Sequence, residues 1–436
     1  MLATLLLALP AAAASRGRFG GTLKVAVTSK VALDADPLQA DTPIEVAVLS
    51  QLARPLCRVN RAGDVADTLA DIGTSGPKSI VVTLRQQEIN GAPLDTAFLV
   101  RMLKRLQSEP TPYRGLLLPL KSIPDAADKN QLELPLAFAF PDFAKSLCHP
   151  ALSLASKTEG RAGPFLPSLT ANPIFAEGRP YADALAFVTT DARGADRQLA
   201  QHRVQLTLGT GAAEAPLPFA TYLAFNPARA GKEVRAAIAA SVDPQDLTKF
   251  FVHPPAAPMT GLLPPHLAGA ATETQKPAPA PVATRKVTLL YDSSQDDQRA
   301  VAERLQVKLQ PAGYQVALTG LSRAELRTRW AAKDYDLMLT SVFLPASPGA
   351  ALSVVLELAH APHEQAVDVL QSIGAVADPR VRDRAAQLAA QQLKNELDVW
   401  PLYAQGLKVQ AGPQVQHLTT DFSGTPLLDA AFLGQD

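Results

Sequence analysis

Residue types that do chemistry in enzymes are present in this 436-residue chain, but not at the spacings of catalytic motifs. The sequence contains no G-x-S-x-G nucleophile elbow, no H-E-x-x-H helix and no phosphate-binding glycine loop. His360, His363 and Glu364 form the one cluster that suggests a metal. A protein zinc site needs further ligands, which the neighbouring sequence does not supply, so we interpret these histidines as solvated loop residues. We predict a protein that is not an enzyme and needs no metal or cofactor.

The N-terminus is typical of a secretory signal peptide. Residues 1–9 are largely apolar and are followed by Pro10 and an alanine run at residues 11–14. An apolar stretch of this length that ends in small residues predicts export and cleavage, although the usual basic residues before it are missing. We expect the signal peptide to cover residues 1–15 and the mature protein to be soluble in the periplasm.

Two cysteines, Cys57 and Cys148, would then lie in an oxidising compartment. A pair of cysteines in such a compartment is a candidate disulfide. Two buried free thiols are the alternative, because cysteine packs as a small apolar residue. The sequence leaves both possibilities open.

Charge and composition exclude other classes of function. The 41 basic residues balance the 41 acidic ones and form no basic run, which argues against nucleic acid as a partner. Proline is enriched to 37 residues, and part of the excess forms a linker-like stretch at residues 273–283.

The strongest secondary-structure signals lie in residues 286–340. The apolar runs that predict strands are residues 286–291, 314–318 and 335–340. The helix signals are an apolar face at Val301, Leu305 and Leu309, a C-terminal Gly313, a capping box at Ser322 and Glu325, and Asp378 before Pro379 at the start of a later helix. Two crossovers in succession predict a parallel sheet, whose ligands lie beyond the carboxyl ends of the strands. The loop after Thr340 is therefore the first place to look for a binding site.

Short motifs recur along the chain in a set order. They include GGTLKV, LARPL, YLAFN and WPLY, and the full set lies at residues 20–25, 36–37, 52–56, 82–85, 91–94, 163–165, 178–181, 222–226, 234–235, 242–243 and 400–403. No single motif is specific, but their order resembles extracellular solute-binding protein family 5, the dipeptide, oligopeptide and nickel receptors of ABC importers.

The resemblance implies an α/β fold of the two-lobed periplasmic-binding-protein type (class C), with mixed sheets, flanking helices and a hinge that the chain crosses twice. It places lobe one at residues 16–226, with residues 402–436 returning to it, and lobe two at residues 227–401. Closure of the lobes over a solute is the expected motion. The implied partners are a peptide or other small solute and an ABC-transporter permease in the inner membrane, and we expect a monomer.

The loop at residues 341–349 departs from the family's pattern. Peptide receptors of the family carry an aspartate there that pairs with the α-amino group of the ligand, whereas this chain has Ser347. A hydroxyl cannot supply the charge-assisted pair that a desolvated ammonium needs. We therefore predict that ordinary free peptides bind weakly, that neutral or N-blocked solutes remain candidates, and that Ser347→Asp improves binding of amines. Glu357 and Asp34 are the acids that would otherwise take over the anchoring role.

Aromatic residues complete the predicted site. Phe343 lies in the loop after the third strand, and Trp400 and Tyr403 lie near the second crossing. The predicted ligand-binding residues are thus Phe343, Ser347, Asp34, Trp400 and Tyr403. Tyr222, Phe225 and Trp330 are interpreted as packing residues.

Two functions remain open on these grounds. The first is the periplasmic solute-binding component of an ABC importer, which captures a peptide-like or other small organic solute by closure of two lobes. The second is a non-transport descendant, a periplasmic scaffold or sensor with a degenerate cleft. A cavity lined by polar groups favours the first function, and a cleft filled by the protein's own side chains favours the second.

Overall fold

The computed structural model describes residues 17–434, except for residues 86–87, 90–91, 157–159, 212–215, 231, 254 and 269–284. The predicted signal peptide, the proline-rich stretch and Gly91 of the motif at residues 91–94 lie outside the described residues. Among the residues described, no helix has the length and apolar character needed to cross a membrane.

The described strands are β1 (Thr22–Val27), β2 (Cys57–Val59), β3 (Val65–Asp67), β4 (Ala70–Gly76), β5 (Ser79–Leu84), β6 (Glu88–Ile89), β7 (Ala92–Pro93), β8 (Gln131–Pro135), β9 (Ala155–Ser156), β10 (Gly160–Arg161), β11 (Ala184–Thr189), β12 (Leu206–Leu208), β13 (Phe219–Phe225), β14 (Ala256–Pro258), β15 (Arg285–Asp292), β16 (Tyr314–Leu321), β17 (Leu337–Phe343), β18 (Val399–Gln405), β19 (Val409–Ala411), β20 (Val415–Gln416), β21 (Thr419–Thr420), β22 (Pro426–Leu427) and β23 (Phe432–Leu433).

The described α-helices are α1 (Pro43–Leu49), α2 (Thr96–Ser108), α3 (Phe143–Leu147), α4 (Ala192–Ala200), α5 (Lys232–Ser241), α6 (Pro244–Phe250), α7 (Pro265–Ala268), α8 (Asp296–Leu309), α9 (Arg323–Ala331), α10 (Pro348–Leu358), α11 (His363–Gly374) and α12 (Pro379–Leu393). Short 3₁₀ helices lie at Pro37–Gln39, Pro112–Leu117 and Pro150–Leu152.

The predicted α/β segment is confirmed. Strand β15 pairs in parallel with β16 and with β17, and α8 and α9 are the crossovers between them. Ser322 and Glu325 make both hydrogen bonds of the predicted capping box. Gly313 adopts a φ of 90°, which a residue with a side chain reaches only at a cost. Asp378 caps α12, as its position before Pro379 indicates.

This segment belongs to a six-stranded sheet with the order β14-β18-β13-β17-β15-β16, which we call the second sheet. Strand β13 is antiparallel to β17 on one side and to β18 on the other, and all of its residues are buried. Tyr222 and Phe225, on this strand, are core residues as predicted.

The predicted division between the lobes does not agree with this sheet. A boundary at residues 226/227 and 401/402 would separate β13 from its neighbours and cut β18 in two. The YLAFN motif indicates an apolar strand but not its hydrogen-bonding partners, and those partners lie in the second sheet. We therefore propose that the chain crosses between lobes between β12 and β13, and again between β18 and β19.

The first sheet has the order β11-β1-β12-β19. Strand β1 runs parallel to β11 and β12, and β19 returns antiparallel from the C-terminal part of the chain. A separate antiparallel sheet of β4, β5 and β8 lies in the N-terminal half. The first sheet therefore joins segments from both ends of the chain into one layer.

Cys57 and Cys148 form a disulfide bond in the structure, across a sequence separation of 91 residues. It joins the start of β2 to the C-terminal end of α3. Both residues are buried in the main apolar core. The bridge fixes two segments that are adjacent in space but distant along the chain.

We predict that removing this bridge lowers the stability of the protein. The double substitution Cys57→Ala and Cys148→Ala should lower the free energy of unfolding by about 2–4 kcal/mol, because the unfolded chain regains the entropy of a long closed loop. Denaturant unfolding under non-reducing conditions measures the difference. Alkylation of both Cys57 and Cys148 in the unsubstituted protein, denatured without a reductant, would show that the bridge does not form.

Candidate ligand-binding site

A cavity of about 60 Å³ lies at the carboxyl end of β17. Residues 343–346 of the second lobe form one wall, and segments of the first lobe form the others. The lining residues are Pro37, Ala40, Val46, Leu49, Ser50, Arg54, Pro55, Arg58, Val59, Lys145, Cys148, His149, Pro150, Ser153, Phe343, Leu344, Pro345, Ala346, Asp421, Phe422, Ser423 and Thr425. The loop after the third strand of the α/β segment is thus part of a cavity between the lobes. That a solute occupies it remains a prediction.

Both backbone polar groups of Phe343, the N–H and the carbonyl oxygen, make hydrogen bonds to residues of the first lobe. Its N–H donates to the hydroxyl of Tyr113 at 3.0 Å. Its carbonyl oxygen lies 3.0 Å from Nε2 of His149. Because the N–H of Ala151 donates to Nδ1 of the same ring at 3.0 Å, the proton of the neutral ring is on Nε2, which donates to Phe343. Two hydrogen bonds therefore fix the cavity wall of one lobe to the other.

His149 is held neutral in this position. Burial lowers the pKa of its imidazole to about 4. Its ring lies 4.8 Å from that of Tyr113 and 5.3 Å from that of Phe343, measured between centroids. His149 directly follows Cys148, so the disulfide positions the residue that contacts the second lobe.

Three cations line the cavity, and two of them form ion pairs with acids outside it. Arg54 Nη2 donates to Asp429 Oδ1 at 2.5 Å. Arg58 Nη2 donates to Glu177 Oε1 at 3.0 Å.

The third cation is Lys145, whose charge acts on Asp142 at longer range, while the direct ion pair of Asp142 is with Nε of Arg382 at 3.5 Å. Burial raises the pKa of Asp142, and the charges of Arg382 and Lys145 oppose the rise. None of the three acids lines the cavity.

A cluster of charged residues forms a second contact between the lobes. Arg323 Nη1 donates to both carboxylate oxygens of Glu45, at 2.7 and 2.8 Å, and its Nε donates to Asp292 at 3.0 Å. Arg327 donates to Asp41 at 2.9 Å. Burial raises the pKa of Asp41, and Arg327 and Arg323 oppose the rise. The guanidinium groups of Arg323 and Arg327 on α9 thus bind carboxylates of both lobes.

The remaining contact between the lobes is close and largely apolar. Helix α10 packs on the 3₁₀ helix Pro112–Leu117, and a Cβ atom at Gly115 would lie 2.2 Å from the carbonyl oxygen of Ser353. Beside this contact, Arg114 pairs with Glu357 at 2.5 Å. Here the interface is filled by the protein's own backbone and side chains.

The predicted ligand-binding residues do not come together around one site. Phe343 lines the cavity, but Ser347 is fully buried and caps α10, where its Oγ accepts from the N–H of Ala350 at 3.2 Å. Serine before a proline at N1 is a common N-cap, so the hydroxyl is already used by the helix. The proposed Ser347→Asp substitution would not place a carboxylate in the cavity wall.

The other predicted residues also lie away from the cavity. Asp34 is exposed on the surface. Tyr403 is fully buried in the second lobe's apolar core. Trp400 contacts the ammonium of Lys394, 4.6 Å above the centroid of its indole ring. Glu357 has its own partner, Arg114, and is therefore not free to anchor a solute.

Trp330 and His360 pack against each other. Trp330 is buried, as predicted, and donates through Nε1 to the carbonyl oxygen of Leu358 at 3.0 Å. The ring of His360 stacks on it at 4.5 Å, and His363 begins α11 rather than lying in a loop. Among the described residues, no group of three or more His, Cys, Asp or Glu residues is placed to hold a metal ion.

Sequence reasoning missed Arg54, Arg58, His149 and Asp421. Arg58 and His149 follow the two cysteines directly, and the bridge between those cysteines would have placed both residues in one wall. No local signal marks Asp421, which reaches the cavity only because the C-terminal segment returns to the first lobe.

The fold is that of the two-lobed periplasmic binding proteins. The structure is similar to DppA of Helicobacter pylori in complex with the peptide STSA, with a TM-score of 0.74, 16% identity, and coverage of 96% of this chain and 99% of that chain. It is also similar to AgaA of A. tumefaciens in complex with agropinic acid, with a TM-score of 0.72, 17% identity, and coverage of 95% and 99%. NikA of Staphylococcus aureus in complex with Ni(L-His)2 matches with a TM-score of 0.71, 13% identity, and coverage of 94% and 99%. At such identities the likeness shows the fold alone.

The sequence itself supports the family. Residues 168–354 match the family described as bacterial extracellular solute-binding proteins, family 5 (middle). The predicted resemblance to family 5 is thereby confirmed over these residues. No curated protein matches the sequence.

We predict that the charged contact between the lobes stabilises the structure more than a surface ion pair does. Arg323→Ala leaves Glu45 and the buried Asp292 without a cation, and should lower the free energy of unfolding by about 2–3 kcal/mol. Arg299→Ala is the matched control, because that arginine makes an exposed pair with Glu303 on α8, worth about 0.3–0.5 kcal/mol. Denaturant unfolding of the two variants gives the comparison. Equal losses would mean that the cluster adds nothing beyond an ordinary surface pair.

A second prediction concerns the pH dependence of stability. Below pH 6.5 the unfolded chain protonates His149, whereas the folded protein resists protonation until about pH 4. Stability attributable to this residue is therefore complete above pH 6.5 and falls by about 3 kcal/mol as the pH drops to 4. In His149→Gln the loss of stability that His149 causes between pH 6.5 and 4 should be missing. The losses caused by His266 and His360 should remain, because burial also lowers their pKa values to about 4.

Thermal unfolding at several pH values measures this slope. The surface variant His363→Gln controls for loss of an imidazole elsewhere. An unchanged slope in His149→Gln would contradict the buried, neutral state of the residue.

Proposed function

We propose that this protein is the periplasmic solute-binding component of an ABC importer, and that it captures a small polar solute by closure of its two lobes. The observation that carries the proposal is the cavity at the end of β17, which has a wall from each lobe. Family 5 proteins bind solutes rather than transform them, and the absence of catalytic motifs in the sequence agrees with this role. An exported location and a permease partner are part of this proposal, which the family match and the predicted signal peptide support.

The size of the cavity limits the solute. A volume of about 60 Å³ holds on the order of four to six water molecules, since each needs about 10–15 Å³. A dipeptide with side chains is larger than that. We therefore propose that ordinary peptides are poor ligands because they exceed the volume of the cavity. The absence of the family's aspartate from the loop after β17 is a second reason.

The apolar contact between α10 and the 3₁₀ helix Pro112–Leu117 favours the second candidate function. A Cβ at Gly115 has no room against Ser353, so this part of the interface already contains the protein's own atoms. A protein closed in this way without a solute would serve as a periplasmic scaffold or sensor. The two functions differ in whether a molecule occupies the cavity when the lobes are closed.

Native mass spectrometry of protein purified without denaturation separates the two functions. For a transport receptor we expect a complex with one small molecule, which is lost on unfolding. Ala346→Leu fills the cavity wall and should yield ligand-free protein, whereas Ala332→Leu, on the exposed end of α9, should retain the molecule. Native protein that carries no small molecule, and that binds none from a periplasmic extract, would support the scaffold instead.

A further inference from the structure

Residues 139–142 of the first lobe lie in a narrow space between helices of the second lobe. A Cβ atom at Gly374, the last residue of α11, would lie 1.9 Å from the carbonyl oxygen of Ala139. A Cβ atom at Gly349, in the first turn of α10, would lie 2.8 Å from Oδ2 of Asp142. Cβ atoms in proteins essentially never come within 3.0 Å of such neighbours, so a side chain at either position would displace the facing atoms of the first lobe. We call residues 139–142 the plug.

The plug ends in a buried carboxylate, and a buried cation of the second lobe faces it. Nε of Arg382, on α12, lies 3.5 Å from Oδ1 of Asp142. Nη1 of the same arginine donates to the carbonyl oxygens of Val376 and Ala377, at 3.0 and 3.2 Å, in the turn between α11 and α12. The second lobe therefore fixes the position of the cation by itself. We call the residues that receive the plug the socket, namely Gly349, Gly374 and Arg382.

Oδ2 of Asp142 is also buried, and it accepts no hydrogen bond from the described part of the chain. It lies beside the first turn of α10, at Gly349, and the N-terminus of a helix carries a partial positive charge. The guanidinium of Arg382 and this helix terminus therefore both attract the carboxylate, and both belong to the second lobe. When the lobes separate, water has to replace both interactions.

The plug differs in exposure from the other charged contact between the lobes. The side chains of Arg323 and Glu45 have exposed fractions of 25% and 17%. Those of Arg382 and Asp142 have exposed fractions of 8% and 4%. Water screens the first pair more than the second. The plug contact therefore tolerates less separation of the lobes than the more exposed cluster does.

The chain directly after the plug forms one wall of the cavity. Helix α3 begins at the residue after Asp142, and Lys145, Cys148 and His149 line the cavity. Nε2 of His149 donates to the backbone of Phe343 in the second lobe. Asp142 does not line the cavity itself. Its position can affect a solute only through α3 and the residues that follow this helix.

We propose that the plug and the socket lock the lobes in the closed arrangement, and that Asp142 is a positioning residue for solute capture. Entry of the plug into the socket brings α3 into place, and with it the cavity wall that contains Lys145 and His149. This inference rests on the proposed function and adds the contact through which closure shapes the cavity. The socket accepts the plug because Gly349 and Gly374 have no side chains.

Gly374→Ala removes the space for the plug. Alanine favours a helix more than glycine does, so α11 itself should not be weakened. Small-angle X-ray scattering should show a larger radius of gyration than that of the native protein, with an unchanged far-UV circular dichroism spectrum. The control is Gly261→Ala, because a Cβ atom at Gly261 has no neighbour within 4 Å. This control should scatter as the native protein does.

The pKa of His149 shows whether closure also shapes the cavity. In the closed protein burial lowers the pKa of its imidazole to about 4, and Nε2 donates to Phe343. In Gly374→Ala the ring should lose this partner, and its pKa should rise by at least about one unit toward the ordinary value of 6.5. NMR titration of the imidazole measures the change. In Gly261→Ala the pKa of His149 should stay at its native value.

Gly349→Ala tests the same contact in case Gly374→Ala does not fold. Its Cβ atom would meet Oδ2 of Asp142, and Asp142→Ala removes that oxygen. Gly349→Ala should lower the melting temperature of the native protein, and the loss should be less than about half as large in the Asp142→Ala background. Equal losses in the two backgrounds would mean that Asp142 does not occupy the socket, which overturns the proposal.

The other outcomes separate the plug from the proposed function. An unchanged radius of gyration in Gly374→Ala overturns the lock. A larger radius with an unchanged pKa of His149 overturns the role of Asp142 in positioning the cavity wall. Native protein that retains no solute in mass spectrometry contradicts the proposed function, whereas scattering and titration still decide whether the plug holds the lobes closed.

Discussion

The closed arrangement of the lobes depends on two hydrogen bonds between the end of β17 and the first lobe. Phe343 gives its N–H to Tyr113 and its carbonyl oxygen to His149, so a strand of the second lobe ends in hydrogen bonds to the first. Both partners are buried, and a buried backbone group without a partner is costly. If the lobes separate, water must replace these two bonds. The cavity wall at residues 343–346 is therefore rigid only while the lobes are closed.

The interface combines two kinds of contact with different consequences. Arg323 and Arg327 hold their carboxylates by charge, and water hydrates these charged groups when the lobes open. The contact of Gly115 with Ser353 instead requires close packing, which an open form loses entirely.

Local signals predicted the local structure well. The capping box at Ser322 and the N-cap Asp378 have the expected geometry, because each depends on residues within one turn. Gly313 has the expected positive φ, but it lies in the turn beyond Gln310, the C-cap of α8. Strand partners were not predictable in this way. The apolar pattern of β13 shows that the strand is buried, but it does not show that β17 and β18 flank it, so the lobe boundary expected from the sequence falls inside a sheet.

The binding residues were harder to predict for a related reason. Ser347 looked like a polar group in a ligand loop, yet an N-cap has the same sequence appearance, and the structure uses it as a cap. Asp421 lies in a short polar turn that resembles many others, and only the return of the C-terminal segment brings it to Val59. Tertiary contacts between segments far apart in the chain decided both cases.

A crystal structure of the protein purified without denaturation tests the central claim most directly. We predict closed lobes, with density for one small molecule in the cavity between residues 343–346 and the segments of the first lobe that face them. Closed lobes with that cavity collapsed or dry, and a solute bound elsewhere or not at all, would contradict it.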